Sequence, residues 1–267
     1  MTATAPIDTA TPRLFEHDLD PALFESDRLD WLVREAERRS KLGVQWADPG
    51  RQRHGNEPVH TSPRYPVVED AARRPVQYRV YGVGEWGPAE YRESRDRIIA
   101  THAPGVTVAI ADSVVRVFAP HATVALHGDP DLKLVCDVAG RTTWYVRPPA
   151  EMTQRQHENL LRGEFFLAWE ESADEVALAI EPGTGCFVPS RWAHWLDHPS
   201  DEPVVSFEIG FWTPESVRER KVHDVNWLLR RLRVDPQAPG GPADDRKLRV
   251  FDTLSTVTRK GVRYRGI

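Results

Sequence analysis

A run of short apolar segments between residues 106 and 212 is the feature that most restricts the folds open to this chain. The segments read VTVAIADSVVRVFA, TVALH, LKLVCDV, TTWYVRP, VALAI, GCFVPS and PVVSFEIGFW. They are rich in β-branched and aromatic residues, and Gly, Pro, Asp or Ser separates them at short intervals. One segment among them, TQRQHENLLRG, has a helical pattern. Many strands with almost no helix between them predict an antiparallel sandwich or barrel rather than βαβ units.

Helical patterns lie on both sides of this β-rich region. PALFESDRLDWLVREAERRSKLG and PAEYRESRDRIIATHAPG precede it, and TPESVRERKVHDVNWLLRRLRV and RKLRVFDTLSTVTRKG follow it. The predicted fold class is therefore mainly β with flanking helices. The predicted division is a disordered tail (1–12), an N-terminal extension of helices and strand (13–105), a β core (106–212) and a C-terminal helical region (213–267). The Pro- and Arg-rich segment 49–66 has no periodicity, which predicts a loop and a candidate lid.

Composition narrows the classes of partner. A net charge of −5 is too mild to indicate a nucleic-acid or membrane partner. No apolar run has the length of a membrane span, and MTATAPIDTATP lacks the basic start and apolar stretch of a signal peptide or anchor. Cys136 and Cys186 lie in apolar strand-like segments, which predicts buried free thiols and a reducing, cytoplasmic environment.

The segment ALHGDPD offers two residues that could bind a metal. His127 and Asp129 stand two positions apart, and residues i and i+2 of a strand point to the same face. His194 and His198, in the later segment RWAHWLDH, are candidates for a third ligand. Two histidines and one carboxylate with open positions are typical of non-haem Fe(II) oxygenases. The alternative is structural, because the Asp and Pro residues of HGDPDL are also typical of a turn.

Several segments in the same order resemble the cupin-like, JmjC-type Fe(II)/2-oxoglutarate oxygenases. These are VVRVFAP, HGD, AGRTTWYVRPP, EPGTGCFVP and RWAH, and FVPSRWAHWL is the most specific of them. The resemblance covers about residues 113–212, and VNWLLRRLRVDPQAPGG is similar to the helical tail of bacterial members. It implies a double-stranded β-helix (jelly roll) and a homodimer formed through the C-terminal helices.

The same resemblance implies the site residues and cofactors. His127, Asp129 and His194 would be the iron ligands, with His194 rather than His198 at the family's position. The cofactors would be Fe(II) and 2-oxoglutarate, with O2 and an unidentified substrate as partners. His198 would cap a turn or lie behind the ligands.

The chain departs from the family pattern where the cosubstrate should be anchored. The family has a Lys or Arg two residues after the hairpin glycine, but Thr142 stands there after Gly140. A hydroxyl cannot by itself balance a buried carboxylate. Lys133 with Thr142 is one possible replacement, and an arginine from another strand is the other. The candidate arginines are Arg116, Arg147 and Arg79. Alternatively, Lys133 and Arg141 are ordinary solvent-facing charges.

Three functions follow from these observations. The first is an Fe(II)/2-oxoglutarate-dependent hydroxylase acting on an unactivated C–H bond of an amino-acid, peptide or protein side chain or a related metabolite. The second is a metal-dependent cupin enzyme that does not use 2-oxoglutarate, which the threonine at position 142 favours. The third is a non-catalytic binding or regulatory protein, since a fold does not dictate a function. A complete His-Asp-His set argues against the third.

Overall fold

The computed structural model describes residues 10–47, 63–160 and 172–257. The predicted tail (1–12) and lid (49–66) lie mostly outside these ranges. The described strands are β1 (Arg13–Glu16), β2 (Leu42–Trp46), β3 (Val76–Tyr81), β4 (Ile110–Phe118), β5 (Thr123–Gly128), β6 (Leu132–Ala139), β7 (Thr142–Arg147), β8 (Val176–Ile180), β9 (Thr184–Val188), β10 (Ala193–Asp197) and β11 (Val204–Trp212). The described helices are α1 (Ser26–Arg38), α2 (Val67–Arg73), α3 (Val83–Trp86), α4 (Ala89–His102), α5 (Gln154–Leu160), α6 (Pro214–Arg231) and α7 (Asp244–Val257), with 3-10 turns at Pro21–Phe24 and Pro149–Glu151.

Two antiparallel sheets face each other. The major sheet has seven strands in the order β1-β9-β6-β11-β4-β3-β2, and the minor sheet has four in the order β5-β10-β7-β8. Strands β4 and β11 pair along their full length at the centre of the major sheet. Neighbours in the sheets are mostly distant in sequence, as in a jelly roll. The predicted mainly β fold with flanking helices is therefore confirmed.

Alternation along β11 shows how the two faces of the major sheet are used. Phe207, Ile209 and Phe211 pack outward in one core cluster with residues of α1 and α4. Val204 points the other way into a second cluster that joins the sheets, and Glu208 shares its face. The charged residues on this inner face therefore lie in the interior between the sheets, where a site can form.

The N-terminal region contributes more strands to the major sheet than the sequence pattern indicates. Strands β1 and β2 were not anticipated, because each is short and pairs only through tertiary contacts, β1 with β9 and β2 with β3. The predicted helix from residue 21 to residue 43 is shorter, since α1 ends at Arg38 and Leu42 already begins β2. Residues 13–105 are thus partly built into the sheet itself.

Helix α6 begins as the sequence predicts, whereas α7 begins at Asp244, two residues before the predicted segment RKLRVFDTLSTVTRKG. The Thr213 side chain accepts a hydrogen bond from the Ser216 backbone N–H, and Pro214 occupies the first turn of α6. Helix α7 packs against α6, with Arg218 and Asp245 paired at 2.7 Å. No helix within the described ranges combines the length and apolar character that a membrane span requires.

Candidate metal and cosubstrate site

Three side chains with metal-binding atoms converge at one end of the minor sheet. Asp129 Oδ2 lies 3.7 Å from His127 Nε2 and 3.5 Å from His194 Nε2. One ligand atom from each of the three lies within 4.8 Å of the others. In the described part of the chain this is the one group of at least three His, Cys, Asp or Glu residues with that geometry. The structure thus brings together the three residues that the sequence pattern singles out.

An irregularity in β5 turns His127 toward this point. Strand β10 advances two positions from His194 to Leu196, while β5 advances three from Val124 to His127, so β5 carries one extra residue. Such a bulge shifts the alternation of side chains by one position. Val124 lies in the core between the sheets and Leu126 on the opposite face. Regular alternation from Val124 onward would turn His127 away from His194, and the bulge brings it to the inner face instead.

Asp129 reaches the site from a loop. Strand β5 ends at Gly128, so the expectation that His127 and Asp129 share one strand face is wrong. The Asp129 backbone carbonyl accepts a hydrogen bond of 3.0 Å from the Arg191 N–H, and Ser190 Oγ donates to the Pro130 carbonyl at 2.7 Å. These bonds tie the turn after β5 to the connection between β9 and β10, which leads into His194.

Backbone carbonyls orient both imidazole rings. Nδ1 of His127 lies 2.8 Å from the Ala125 carbonyl oxygen, and Nδ1 of His194 lies 3.0 Å from that of Trp192. Each contact places a proton on Nδ1, which leaves the Nε2 lone pair directed at Asp129. Burial, with a smaller effect from His194, lowers the pKa of His127 to about 3, so this ring is neutral at physiological pH. The buried Nε2 of His194 has no hydrogen-bond partner among the described residues.

The chemistry of these donor atoms fits a divalent transition metal. Two neutral imidazoles and one carboxylate oxygen make the ligand set of non-haem Fe(II) sites, which keep the remaining positions open. The buried and unsatisfied Nε2 of His194 would gain a partner if such an ion were bound. The residues present therefore fit a metal of this kind.

Lys133 binds the carboxylate of Asp129 from the side of the major sheet. Its Nζ lies 2.9 Å from Asp129 Oδ2, 2.5 Å from Glu208 Oε1 and 3.7 Å from Asp131 Oδ2. Lys133 is 6% exposed, so the interpretation of this residue as a solvent-facing charge is wrong. Its ammonium is already surrounded by three carboxylates, and its predicted role in cosubstrate binding stays a prediction.

Two of the three carboxylates around Lys133, those of Glu208 and Asp129, are stabilised in the ionised form. Burial alone would raise the pKa of Glu208, but Arg116 and Lys133 outweigh it and lower that pKa to about 2. Burial also opposes ionisation of Asp129, yet Lys133 and the two histidines lower its pKa. For Asp131 burial prevails over Lys133, and its pKa rises to about 6. Asp129 is therefore the carboxylate most firmly kept as an anionic ligand.

Gly210 makes room for this cluster in the neighbouring strand. It pairs with Lys133 across β11 and β6, and a Cβ at position 210 would lie 2.1 Å from Asp131 Oδ2. No side chain fits at such a distance, so the close approach of the Asp131 carboxylate requires glycine here.

Thr142 has a different partner from the one the sequence suggests. Its hydroxyl donates to Asp137 Oδ2 at 2.6 Å, and Ser206 donates to Asp137 Oδ1 at 2.6 Å. Burial, partly offset by these bonds, raises the pKa of Asp137 to about 7. Thr142 is thus used to satisfy a buried acid, and its role in cosubstrate binding likewise stays a prediction.

Among the candidate arginines, Arg116 and Arg147 are buried, and Arg79 is half-buried beside Arg116. Arg116 in β4 is buried, pairs with Glu208 and lies directly opposite Arg79 in β3. Arg147 pairs with Glu175 at 2.7 Å, and Glu175 also accepts the indole N–H of Trp195. Arg141 is an exposed charge paired with Glu181, as one interpretation of the sequence had it.

His198, Trp144 and Trp195 each pack against another ring. His198 is fully buried and its ring lies 4.2 Å from that of Phe118, so it does not cap a turn with its ring. Trp144 is buried and stacks on His194 at 5.1 Å between ring centroids. Trp195 stacks on Tyr145 at 3.9 Å. Trp144 and Trp195 are therefore packed residues.

Sequence reasoning did not identify two members of the charged cluster, Glu208 and Asp131. Glu208 had a visible signal, because it is a single charge in the centre of the apolar segment VVSFEIGFW. A lone charge at a buried strand position needs a partner or a function. Asp131 had no comparable signal, since an acidic residue in a Pro-containing turn is ordinary.

Comparison with known proteins identifies the fold. The sequence matches no protein-family model and no curated protein. It is similar to the crystal structure of Escherichia coli ribosomal oxygenase YcfD, with a TM-score of 0.54 and 16% identity over 95% of this chain and 65% of that chain. A structure of the same oxygenase in complex with cobalt and 2-oxoglutarate gives a TM-score of 0.52 and 18% identity over 94% of this chain and 64% of that one.

The present chain thus spans slightly less than two thirds of the oxygenase that it matches. Its two facing sheets, which carry His127 and His194 at one end, follow the same architecture. The chain therefore has the jelly-roll fold of these oxygenase structures, as the sequence resemblance implied.

Proposed function

We propose that this protein is an Fe(II)/2-oxoglutarate-dependent dioxygenase that hydroxylates or otherwise oxidises an unactivated C–H bond. The observation that carries the proposal is the convergence of His127 Nε2, Asp129 Oδ2 and His194 Nε2 within 4.8 Å. Both Nδ1 atoms are held by backbone carbonyls, so the three donor atoms are oriented in advance. Support also comes from the fold, which is shared with an oxygenase whose structure holds cobalt and 2-oxoglutarate.

Each proposed ligand has a distinct task. His127 and His194 would supply neutral nitrogen donors, and Asp129 an anionic oxygen that Lys133 keeps ionised. When bound, iron with 2-oxoglutarate and O2 supplies the oxidation, in which the cosubstrate becomes succinate and carbon dioxide and one oxygen atom enters the substrate. His194 is 1% exposed and Trp144 covers it, so the residues of the minor sheet would exclude bulk water from this reaction.

The proposed substrate is an amino-acid, peptide or protein side chain, or a related small metabolite. The matched neighbour is called a ribosomal oxygenase, which supports a side chain of a protein as one member of this class. The protein is proposed to act in the cytoplasm, to which its two buried free cysteines are suited. A homodimer formed through α6 and α7 is part of the same proposal, and apolar side chains exposed on these helices support it.

A metal-dependent cupin enzyme without 2-oxoglutarate is the second candidate. One observation favours it: Thr142, at the family's anchoring position, is neutral and already donates to Asp137. In that case the metal site would be intact while the dicarboxylate site would be missing.

An anaerobic titration of the Fe(II)-loaded protein with 2-oxoglutarate tests the proposal. We expect a weak visible charge-transfer band that saturates, because the cosubstrate would chelate the iron through its 2-oxo acid end. Iron binding without the band would favour the second candidate. Absence of stoichiometric Fe(II) binding would contradict both.

Single substitutions of the ligands test the site itself. We expect His127→Ala and Asp129→Ala to lose stoichiometric Fe(II) binding in equilibrium dialysis while retaining the circular dichroism spectrum of the wild type. His121→Asn is the matched control, since His121 is an exposed residue with a left-handed backbone that asparagine tolerates. Full metal loading of either alanine variant would refute the ligand assignment.

A further inference from the structure

Two arginines face each other across neighbouring strands in the interior next to the metal ligands. Arg79 in β3 pairs directly with Arg116 in β4, so their side chains extend from the same face of the major sheet. Like charges at directly opposed positions destabilise a sheet unless a counter-charge lies between them. Arg116 has a carboxylate partner in Glu208, but Glu208 is shared with Lys133.

Several nitrogen atoms of this pair are buried and have no hydrogen-bond partner. These atoms are Nε and Nη1 of Arg116 and Nη2 of Arg79, judged against the described residues. Arg116 as a whole is 7% exposed. A buried donor left without an acceptor costs about 1–3 kcal/mol, and more when it is charged. Three buried nitrogens without a partner on one arginine pair therefore indicate a binding site for a hydrogen-bond acceptor.

The arginine pair is connected to the metal ligands through short contacts. Arg116 pairs with Glu208, Glu208 Oε1 lies 2.5 Å from Lys133 Nζ, and Lys133 Nζ lies 2.9 Å from Asp129 Oδ2. These contacts join the two guanidinium groups and the metal ligands in one cluster.

His198 adds a neutral donor beside Arg116. It is fully buried, and neither ring nitrogen has a hydrogen-bond partner within the described ranges. Burial, with a smaller effect of Arg116, lowers the pKa of His198 to about 3, so the ring is neutral and carries one N–H. Its unsatisfied N–H has the same need for an acceptor as the arginine nitrogens.

We propose that Arg79 and Arg116, assisted by His198, bind the distal carboxylate of the 2-oxo dicarboxylic acid cosubstrate in place of the hairpin residue that Thr142 replaces. This inference rests on the proposed function and assigns the anchor within it. Guanidinium groups suit the task because they bind a carboxylate through two parallel hydrogen bonds. Lys133 and Thr142 suit it less, because carboxylates of the protein already engage both. Arg116 also pairs with Glu208, but it keeps two buried nitrogens, and Arg79 one, without an acceptor among the described residues.

The test compares two acids on the same Fe(II)-loaded protein. 2-Oxoglutarate has the distal carboxylate, whereas 2-oxobutyrate has the same metal-binding end without it. Both are titrated anaerobically, and the charge-transfer band reports binding without turnover. We expect the wild type to prefer 2-oxoglutarate, and Arg79→Met and Arg116→Lys each to bind it roughly tenfold or more weakly, the loss of about one charged hydrogen bond. Affinity for 2-oxobutyrate and for Fe(II) should stay within about twofold of the wild type, because neither ligand uses this carboxylate site.

Arg141→Met is the matched control, because it removes one arginine from an exposed position of the hairpin. It should bind both acids as the wild type does. Arg116→Lys retains a cation for Glu208, and if this variant still fails to fold, Arg79→Met carries the test. Arg79 donates to the uncharged side chain of Gln77, so its replacement removes no ion pair observed among the described residues.

Three results would overturn the assignment while leaving the oxygenase proposal intact. They are unchanged 2-oxoglutarate affinity in Arg79→Met and Arg116→Lys, an equal loss of affinity for both acids, or a wild type that does not discriminate between them. A wild type that binds Fe(II) but shows no band with either acid would reject the proposed function and this assignment together.

Discussion

At the scale of single residues, the site depends on how Lys133 balances the buried carboxylates. Lys133 stands among Asp129, Asp131 and Glu208, and Arg116 supplies a second cation to Glu208. Removing one partner from a buried ionic network usually costs more than the pair itself contributes, because the remaining charge stays buried and uncompensated. The stability of the fold therefore depends on Lys133, whether or not Lys133 contacts the cosubstrate.

Lys133→Met should destabilise the metal-free protein by about 3–5 kcal/mol at pH 7, as expected for a broken buried ion pair. Without the ammonium the folded-state pKa of Asp129 would rise, and that of Asp131, already raised to about 6, would rise further. The loss should therefore be complete at pH 7 and diminish as the pH falls through these raised values toward pH 4. Urea unfolding at several pH values measures both effects.

Lys221→Met is the control for this prediction, because Lys221 makes a partly exposed pair with Asp252 at 3.4 Å. Such a surface pair contributes about 0–1 kcal/mol, so this variant should unfold close to the wild type. A Lys133→Met protein as stable as the control at pH 7 would show that the carboxylates do not depend on Lys133.

At the scale of elements, the extra residue in β5 decides which way His127 points. The sequence pattern identified β5 as a strand but contained no indication of the bulge, because the register change is defined only against β10. Periodicity by itself placed Val124 and Leu126 on one face, whereas the structure places them on opposite faces. A ligand position can thus depend on pairing between strands about 70 residues apart in sequence.

Insertion of one alanine between Leu126 and His127 should place the alanine at the inward position opposite His194 and turn His127 to the outer face of the minor sheet. We expect stoichiometric Fe(II) binding to be lost, as in His127→Ala, while the far-ultraviolet circular dichroism spectrum is retained. β5 is an edge strand of its sheet, so it can shift by one residue without disrupting a second partner. Wild-type metal affinity in the insertion variant would mean that the register of β5 against β10 does not orient this histidine.

At the scale of the whole molecule, the C-terminal helices present apolar side chains to solvent. Leu228 of α6 is 37% exposed, Val250 of α7 is 43% exposed, and Leu232 directly after α6 is 67% exposed. The two helices pack against each other, and exposed apolar side chains on one surface are typical of protein interfaces. This surface is where the proposed homodimer would form.

Leu232→Lys should convert the proposed dimer into monomers, because a dimer interface would have to bury the added charge. Light scattering coupled to size-exclusion chromatography measures the mass. Val176→Lys is the matched control, since Val176 is a 43% exposed apolar residue of the minor sheet. A Leu232→Lys protein with the mass of a dimer, or a monomeric wild type, would contradict the proposed interface.

The sequence by itself determined the local elements and the identity of the three converging residues. Strand segments follow from alternating and β-branched runs. Helix α1 follows from apolar spacing, α4 from the Pro and Gly that close its segment, and α6 from apolar spacing and its Thr cap. His127, Asp129 and His194 were recognisable because the motifs around them are local. These features depend on neighbours a few positions away, so they can be identified without the fold.

Only the tertiary structure decided the electrostatic surroundings of those residues. The cluster of Lys133, Glu208 and Arg116 joins three strands of the major sheet, with Glu208 75 residues from Lys133 in the chain. The same applies to the opposed arginines, Arg79 and Arg116, and to the extra residue of β5. Each depends on which strand lies beside which and in what register. Long-range packing sets that register, and no local pattern in the sequence contains it.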